Sequence, residues 1–583
     1  MVDLVAQARG GLLDEAAGLG GDARIAVERA GRGRLVHAGG AGDVGQGNGL
    51  HAVMLGRRRD GAKSALAARR SGPPEFVRLV ALEHQDVARD RAMRCVVLHP
   101  PMNAGPSPFP QLVPNRVESV LRRVCELVWH DPVPLPVTAV TATPAHRGLT
   151  EAVRAPRRPV RPGTVWGRLY DQRWFHLGLP AAPGQAPRHL EWRDQGEATL
   201  WIGGTPYYGF DVAHRRVALP ADAREAWVEG YCCQSAIWHP DATGLSPQGS
   251  VFGGAFLGWR DDAAWDAVQD LQALFDLMLH LRAQQTPAPP AALSRFGLQA
   301  PLDLAAPVHR RLLHLLTEAA DAFDTQGLSG LRPRLADALD EMRDRRARVR
   351  AVLTGHAHID LVWLWPERMG EAKAVHIFAT VNRLMDLYPE FRFAYSQPAS
   401  YRAVERRAPR LSVAVNRRLK TGQWQATGAL DVESDTLLPC GEALARSFLL
   451  GQAEFRRMRG APARLLWLPD VFGYSGCLPQ LMRLAGVEWF FTTKLTWNAI
   501  NRFPHSSFVW RGTDGSEVLA YVTQNAGYNN RLELDELDAN ARGHVQADVH
   551  PEFLHPTGDG DGGGGPTEEM CERARRRDRR CGS

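Results

Sequence analysis

The chain has 583 residues, 44% hydrophobic and 23% charged, with a formal charge of +6. That length suits two to four domains with a sizeable core, and no apolar run approaches the ~18 residues that would span a bilayer. Eight cysteines without a CxxC pair are too few and too scattered for a disulfide scaffold, and an excess of positive charge carried almost wholly by arginine is a weak pointer to nucleic acid.

In chain order, the opening stretch MVDLVAQARGGLLDEAAGLGG has acidic residues where a secretory leader needs a basic region. A cytoplasmic protein with reduced thiols is expected. No aromatic residue precedes Phe76, and Gly, Ala and Arg dominate, so residues 1–108 cannot bury much area. They read as a poorly structured segment or a translated non-native frame. From about 110, NRVESVLRRVCELVW has helical spacing, with Val117, Val120, Leu121, Val124 and Leu127 on one stripe. Between 165 and 260 the segments ATLWIGGTPYYGFD, RRVALP and REAWVEGYCC read as antiparallel strands with hairpins. A helix and a β-rich domain are thus assigned to 109–285, and a helical connector with a Pro/Ala/Gln-rich start to 286–348.

From 349 to 570, strands alternate with helices. RVRAVLTGHAH, FRFAYSQ, QWQATG, ARLLWLPD and EWFFTTKL are strands, and 367–387, 399–420, 442–459 and 478–485 are helices between them. This implies parallel βαβ units, whose functional residues gather at the carboxyl ends of the strands. Residues 571–583, with the basic run RARRRDRR, read as a solvated tail.

Three stretches carry chemistry. In LTGHAHIDLVWLWPE, His356, His358 and Asp360 occupy alternate positions at a strand's end. Imidazole nitrogen and carboxylate oxygen suit zinc or a similar divalent ion; histidines bonded to backbone in a crowded core would also explain them. LLWLPDVFGYSGCLPQLM ends a buried strand in Asp470, which reads as a metal ligand, a nucleophile, or a turn carboxylate. GDGDGGGGPTEEM has four consecutive glycines that allow close backbone approach, and Asp559 or Asp561 beside them offers a general acid. It lacks P-loop spacing, and a flexible linker would also account for it. Two carboxylates far apart in sequence are the minimum for glycoside cleavage.

GHAHIDLVWLWP, GQWQATGALDVESDTLLPCGEALARSFLLGQ, the stretch from LLWLPDVFGYSGCLPQLM to DGSEVLAYVT, and GDGDGGGGPTEEM together resemble glycoside hydrolase family 38, the retaining α-mannosidases, in its cytosolic and bacterial branch. The resemblance runs from roughly 110 to 570. It implies a seven-stranded β/α barrel preceded by a β-rich domain, a zinc ion (or another divalent ion such as cobalt), and hydrolysis of terminal α-mannosides through a covalent intermediate. By matching position it implies that His358, Asp360 and Asp470 bind the metal and that Asp470 is also the nucleophile. Asp561 would be the acid/base, with Asp559 as second choice. Trp363, Lys494, Trp497, Asn498 and Asn501 would line the substrate pocket, and His356 would be a neighbour of the metal, not a ligand.

The family also supplies a fourth zinc ligand, a histidine downstream of the Gly-rich loop, and no histidine follows His555 here. The expectation is therefore a C-terminally shortened, three-ligand form whose activity is reduced or lost. Its partner is a mannose-containing oligosaccharide, with neither nucleic acid nor membrane, and uncovered barrel surface would favour homo-oligomers. An ionised Asp470 and a protonated Asp561 predict a bell-shaped pH dependence. A metal-dependent amidohydrolase or sugar deacetylase, and a non-catalytic carbohydrate-binding remnant, are the alternatives.

Overall fold

A computed structural model of the chain describes residues 112–181, 187–234, 248–285, 306–342, 349–524, 527–560, 562 and 564–581. The expected unstructured segment 1–108 lies outside the described residues, as does Asp561. Pro114, early in the helix Val113–Glu126, needs no intrahelical donor there. The buried stripe of this helix, Val117, Val120 and Val124, packs with the helices Asp262–Gln285, Pro307–Gln326 and Leu328–Glu341 around Leu312, Leu316, Leu331 and Leu335.

The aromatic segments between 165 and 260 form two antiparallel sheets packed face to face. One contains Gln172–Gly178, Glu225–Tyr231, Glu197–Ile202 and Thr205–Phe210 as successive neighbours; the other is built on Ser250–Arg260 paired with Arg188–Asp194. The hairpin at Gly203-Gly204 has φ of 57° and 73°, the positive values a two-residue turn between twisted strands requires. Phe175 of one sheet meets Trp192 of the other at 5.1 Å between ring centroids. Along EATLWI the apolar/polar alternation fades because both faces are covered: Leu200 faces the sandwich core, while Trp201 joins Trp174 and Trp227 against the α/β part.

That part runs β1 (Arg350–His356), α1 (Glu367–Leu387), β2 (Phe393–Tyr395), α2 (Pro398–Arg407), α3 (Pro409–Thr421), β3 (Trp424–Ala426), α4 (Gly441–Arg459), β4 (Leu465–Trp467), α5 (Leu478–Leu484) and β5 (Trp489–Thr492). The helix expected over 399–420 is split at Pro409, which lacks the N–H a continuing helix needs. Beyond the expected elements come β6 (Ser507–Arg511), β7 (Glu517–Val522), α6 (Leu534–Gly543), β8 (Glu552–Thr557) and α7 (Glu568–Cys581). The strands form two sheets, β3-β2-β1-β8 and β4-β5-β7-β6. Every pairing is parallel except that of β6 with β7. The mixed α/β class is the one expected, with parallel strands whose carboxyl ends point the same way within each sheet.

The basic run at the C-terminal end departs from a solvated tail. It lies in helix α7, where Arg573 Nη1 donates to the Arg531 carbonyl at 2.9 Å, Arg575 Nε to Glu390 at 2.7 Å and Arg576 Nε to Asp270 at 2.8 Å. Spaced carboxylates and a carbonyl on neighbouring elements turn a charge run into an anchored face.

Candidate active site

The site grows from strand ends. β1 stops at His356, whose ring is fully buried, donates from Nδ1 to the Ala394 carbonyl at 3.1 Å, and lies edge-on to Trp467 at 5.2 Å. Burial pushes its imidazole down to about 3, so it is a neutral core histidine. His358, two residues on, is turned differently: its Nε2 lies 3.3 Å from Asp470 Oδ2 and 3.5 Å from Asp360 Oδ1. Ligand-type atoms of His358, Asp360 and Asp470 all lie within 4.8 Å of one another. The alternating trio thus divides into two members of a cluster and a neighbour.

Asp470 follows β4 at Pro469, where the chain leaves the sheet. Its Oδ1 is 2.6 Å from the ammonium of Lys494, which follows β5. Burial would raise the Asp470 carboxyl, but His358 and Lys494 outweigh it and hold the group well below the usual carboxylate range. Lys494 Nζ sits 3.2 Å from the ring centroid of Trp497, 4.8 Å from Phe472 and 5.1 Å from Tyr528. Lys494 is therefore the charge partner of Asp470 at the floor of an aromatic recess.

The other residues named from sequence are placed unevenly. Trp497 is 62% exposed and Trp363 44% exposed, both on loops beyond strand ends. Asn498 Nδ2 donates to the Leu495 carbonyl at 2.6 Å, so one amide hydrogen is used locally, and Asn501 is exposed. Asp559 is buried and paired with Arg531 at 2.9 Å. Asp561 lies outside the described residues.

Sequence reasoning missed Glu433. Its Oε2 accepts from His358 Nδ1 at 2.8 Å, and its other oxygen accepts from the Ser396 hydroxyl. The Glu433 amide donates to Gln397 Oε1 at 3.1 Å, and Gln397 Nε2 donates to the Ile359 carbonyl at 2.7 Å. The loops after β1, β2 and β3 are thereby stitched together. No local spacing could have found this residue, because its partner is 75 positions away. Tyr528, whose ring lies 5.1 Å from His358, was missed for the same reason.

The donor set fits a divalent cation. Asp360, Asp470 and Glu433 oppose the single ammonium of Lys494, which leaves two negative charges around one imidazole. His358 Nε2 makes no aligned hydrogen bond although two carboxylates face it. Burial would lower the His358 imidazole, but the surrounding carboxylates, Glu433 foremost, outweigh it and raise the group well above its ordinary value. With Nδ1 donating to Glu433, a divalent cation would take the place of the Nε2 proton, and nitrogen plus carboxylate oxygen suits zinc among other divalent metals.

Residues 348–582 match the family model described as "Glycosyl hydrolases family 38 N-terminal domain". Alpha-mannosidase 2C1 of Homo sapiens is 31% identical over 468 residues, covering 76% of this chain and 42% of the relative. Alpha-mannosidase G of Dictyostelium discoideum is 41% identical over 230 residues, or 40% of this chain and 21% of the relative. The Alpha-mannosidase of Saccharomyces cerevisiae is 39% identical over 223 residues, or 38% and 21%. The chain spans 21% to 42% of the length of these relatives.

Proposed function

We propose that this chain, which belongs to glycosyl hydrolases family 38 through residues 348–582, is an α-mannosidase that cleaves terminal α-D-mannosides of oligosaccharides with retention. The observation that carries this reading is the convergence of His358, Asp360 and Asp470, with Lys494 on the second oxygen of Asp470, inside the matched segment.

Asp470 is the nucleophile. Its carboxylate attacks the anomeric carbon to form a covalent mannosyl-enzyme, and Lys494 keeps it ionised. Asp561 donates a proton to the leaving oxygen and then draws one from water. Asp559 is the weaker choice for this role, because its carboxylate is engaged by Arg531. Trp363 and Trp497 offer rings to the sugar, and Asn498 and Asn501 offer amides to its hydroxyls. His358, Asp360 and Asp470 would hold the metal, zinc by preference, which would supply Lewis-acid polarisation at the sugar.

The fold reading extends with this proposal. Seven parallel strands close as one barrel, supported by Gly428 N donating to the Leu465 carbonyl at 3.1 Å and by the Tyr521 hydroxyl accepting from Leu554 N at 3.0 Å. Trp467, Phe491 and Leu554, from three strands of the two sheets, share one cluster inside it. Residues 109–285, 286–348 and 349–570 act as β-rich domain, connector and catalytic barrel. A cytoplasmic setting is supported by free Cys125, Cys232, Cys233, Cys440, Cys477 and Cys571. Among the described residues no helix is long and apolar enough to cross a membrane.

The test is metal content of the purified chain, with hydrolysis of an aryl α-mannoside before and after chelation, and mass spectrometry for a fluorosugar adduct. About one metal per chain, chelator-sensitive turnover and an adduct on Asp470 support the reading. Turnover of the mannoside without an adduct points to direct water attack at the anomeric carbon, and release of acetate from an N-acetylated sugar without mannoside turnover points to the amidohydrolase or deacetylase class. Sugar binding without turnover, unchanged in Asp470→Asn, leaves a binding protein.

A further inference from the structure

The β-sandwich meets the Gly-rich loop through two buried ion pairs of the same design. Lys373, on α1, places Nζ 2.5 Å from Glu197 Oε1 and 2.7 Å from the Gly562 carbonyl. Both side chains are buried, and the ammonium also lies 4.5 Å from the Trp365 ring centroid. Four loop positions away, His214 Nδ1 lies 2.9 Å and 3.0 Å from the two oxygens of Asp211, and its Nε2 lies 3.0 Å from the Pro566 carbonyl. Asp211 is fixed from the other side by His376 of α1, at 3.1 Å.

A carbonyl only accepts, so His214 Nε2 carries a hydrogen, and the carboxylate calls for another on Nδ1. The geometry therefore describes an imidazolium. In both pairs a buried cation is backed by a sandwich carboxylate and gives a further donor to a loop carbonyl. Buried ion pairs are poor devices for stability alone, because desolvation cancels much of their attraction. What they supply here is two fixed points on a segment with few side chains of its own to anchor it. Glycines carry no side chain to pack and have the widest backbone freedom. Within the loop, the backbone bonds between Asp559 and Gly565 and the Arg531–Asp559 pair hold its neck, whereas Gly562 and Pro566 are held from outside.

We propose that Glu197–Lys373 and Asp211–His214 are positioning residues for the reaction: the β-rich domain fixes the Gly-rich loop at the Gly562 and Pro566 carbonyls. This rests on the reading that the loop carries the proton donor. None of the four residues touches the sugar; each acts through the loop backbone. An ångström of drift at a proton donor lowers the chemical step far more than it lowers binding.

The test is hydrogen exchange of the segment 556–567 by mass spectrometry, together with kcat and KM on an aryl α-mannoside, in Lys373→Met, Lys373→Arg and His214→Phe. The expected result for Lys373→Met and His214→Phe is at least about tenfold faster exchange confined to the loop, with Arg188–Asp194 still protected. It also includes a kcat lowered about tenfold with KM within about twofold, and recovery of most of the loss in Lys373→Arg. Wild-type loop exchange in folded Lys373→Met, or a uniform loss of protection through the sandwich, overturns the proposal. Should the apolar variants not fold, isosteric Glu197→Gln decides instead: unchanged loop exchange refutes it, and faster loop exchange upholds it. Loop exchange reads out even in a chain that hydrolyses no mannoside, so a failure of the mannosidase reading is seen separately.

Discussion

Glu433 takes the Nδ1 hydrogen of His358 at 2.8 Å across 75 residues of sequence, and so decides which imidazole nitrogen faces Asp360 and Asp470. Carboxylates in this position orient a ligating histidine and raise its basicity. Glu433→Gln should weaken metal binding by about 10- to 100-fold while leaving the melting temperature of the metal-free protein little changed. Chelator competition measures the first and scanning calorimetry the second. An unchanged metal affinity would make Glu433 a packing residue only.

Lys494 makes a different prediction. Its ammonium touches Asp470 Oδ1 and three aromatic rings but is not a ligand type. Lys494→Met should remove a charge-assisted bond worth about 1.5–3 kcal/mol, lowering kcat/KM on an aryl mannoside by roughly 10- to 100-fold. Metal stoichiometry should remain at the wild-type value. Loss of metal together with activity would instead assign Lys494 to the integrity of the whole cluster.

The pair Asp211–His214 predicts a pH-dependent stability. Burial alone would lower the His214 imidazole, but Asp211 outweighs it and raises the group from 6.5 to about 9. The stabilisation is complete below pH 6.5 and is lost as pH rises from there through about 9. Asp211 is held well below its ordinary value despite burial, chiefly by His214, so its own contribution is present above about pH 4 and declines as pH falls further. Urea midpoints from pH 6 to 10 should fall in wild type. The part of that fall due to His214 should vanish in His214→Phe; identical slopes would show the imidazolium to be unimportant.

Gly558 has φ of 148°, and a Cβ there would come within 2.1 Å of the His356 carbonyl oxygen. Gly558→Ala should therefore destabilise the fold by about 1–3 kcal/mol from backbone strain, with a further overpacking cost of similar size. A urea midpoint within error of wild type would mean that the loop can move aside without penalty.

The alternation from β1 to β5 is legible because each strand is a short apolar run closed by a breaker or polar cluster, such as Pro469 after LLWL. β8 is not, since EFLHPT carries a histidine and a proline and resembles a loop until β1 pairs with it. His358 and Asp360 could be read from their spacing, and Asp470 from its strand end. Glu433 and Tyr528 could not, because their meaning lies in contacts that only the closed fold creates. Lys373 shows the limit most clearly. In GEAKAVH it reads as an ordinary solvent-facing helix lysine, and it is 1% exposed because the sandwich has covered it.

β1 shares a six-residue register with β8, from Arg350↔Glu552 to Gly355↔Thr557, but only two residues with β2. The strand that leads into the histidine pair thus waits for its main partner until about two hundred further residues have left the ribosome. At roughly 5–20 residues per second that is an interval of ~10–40 s. During that time an apolar strand edge stands open to any other chain nearby. Yield of this protein in the cell should accordingly depend on chaperone supply and translation speed between β1 and β8, more than on the thermodynamic stability of the finished molecule.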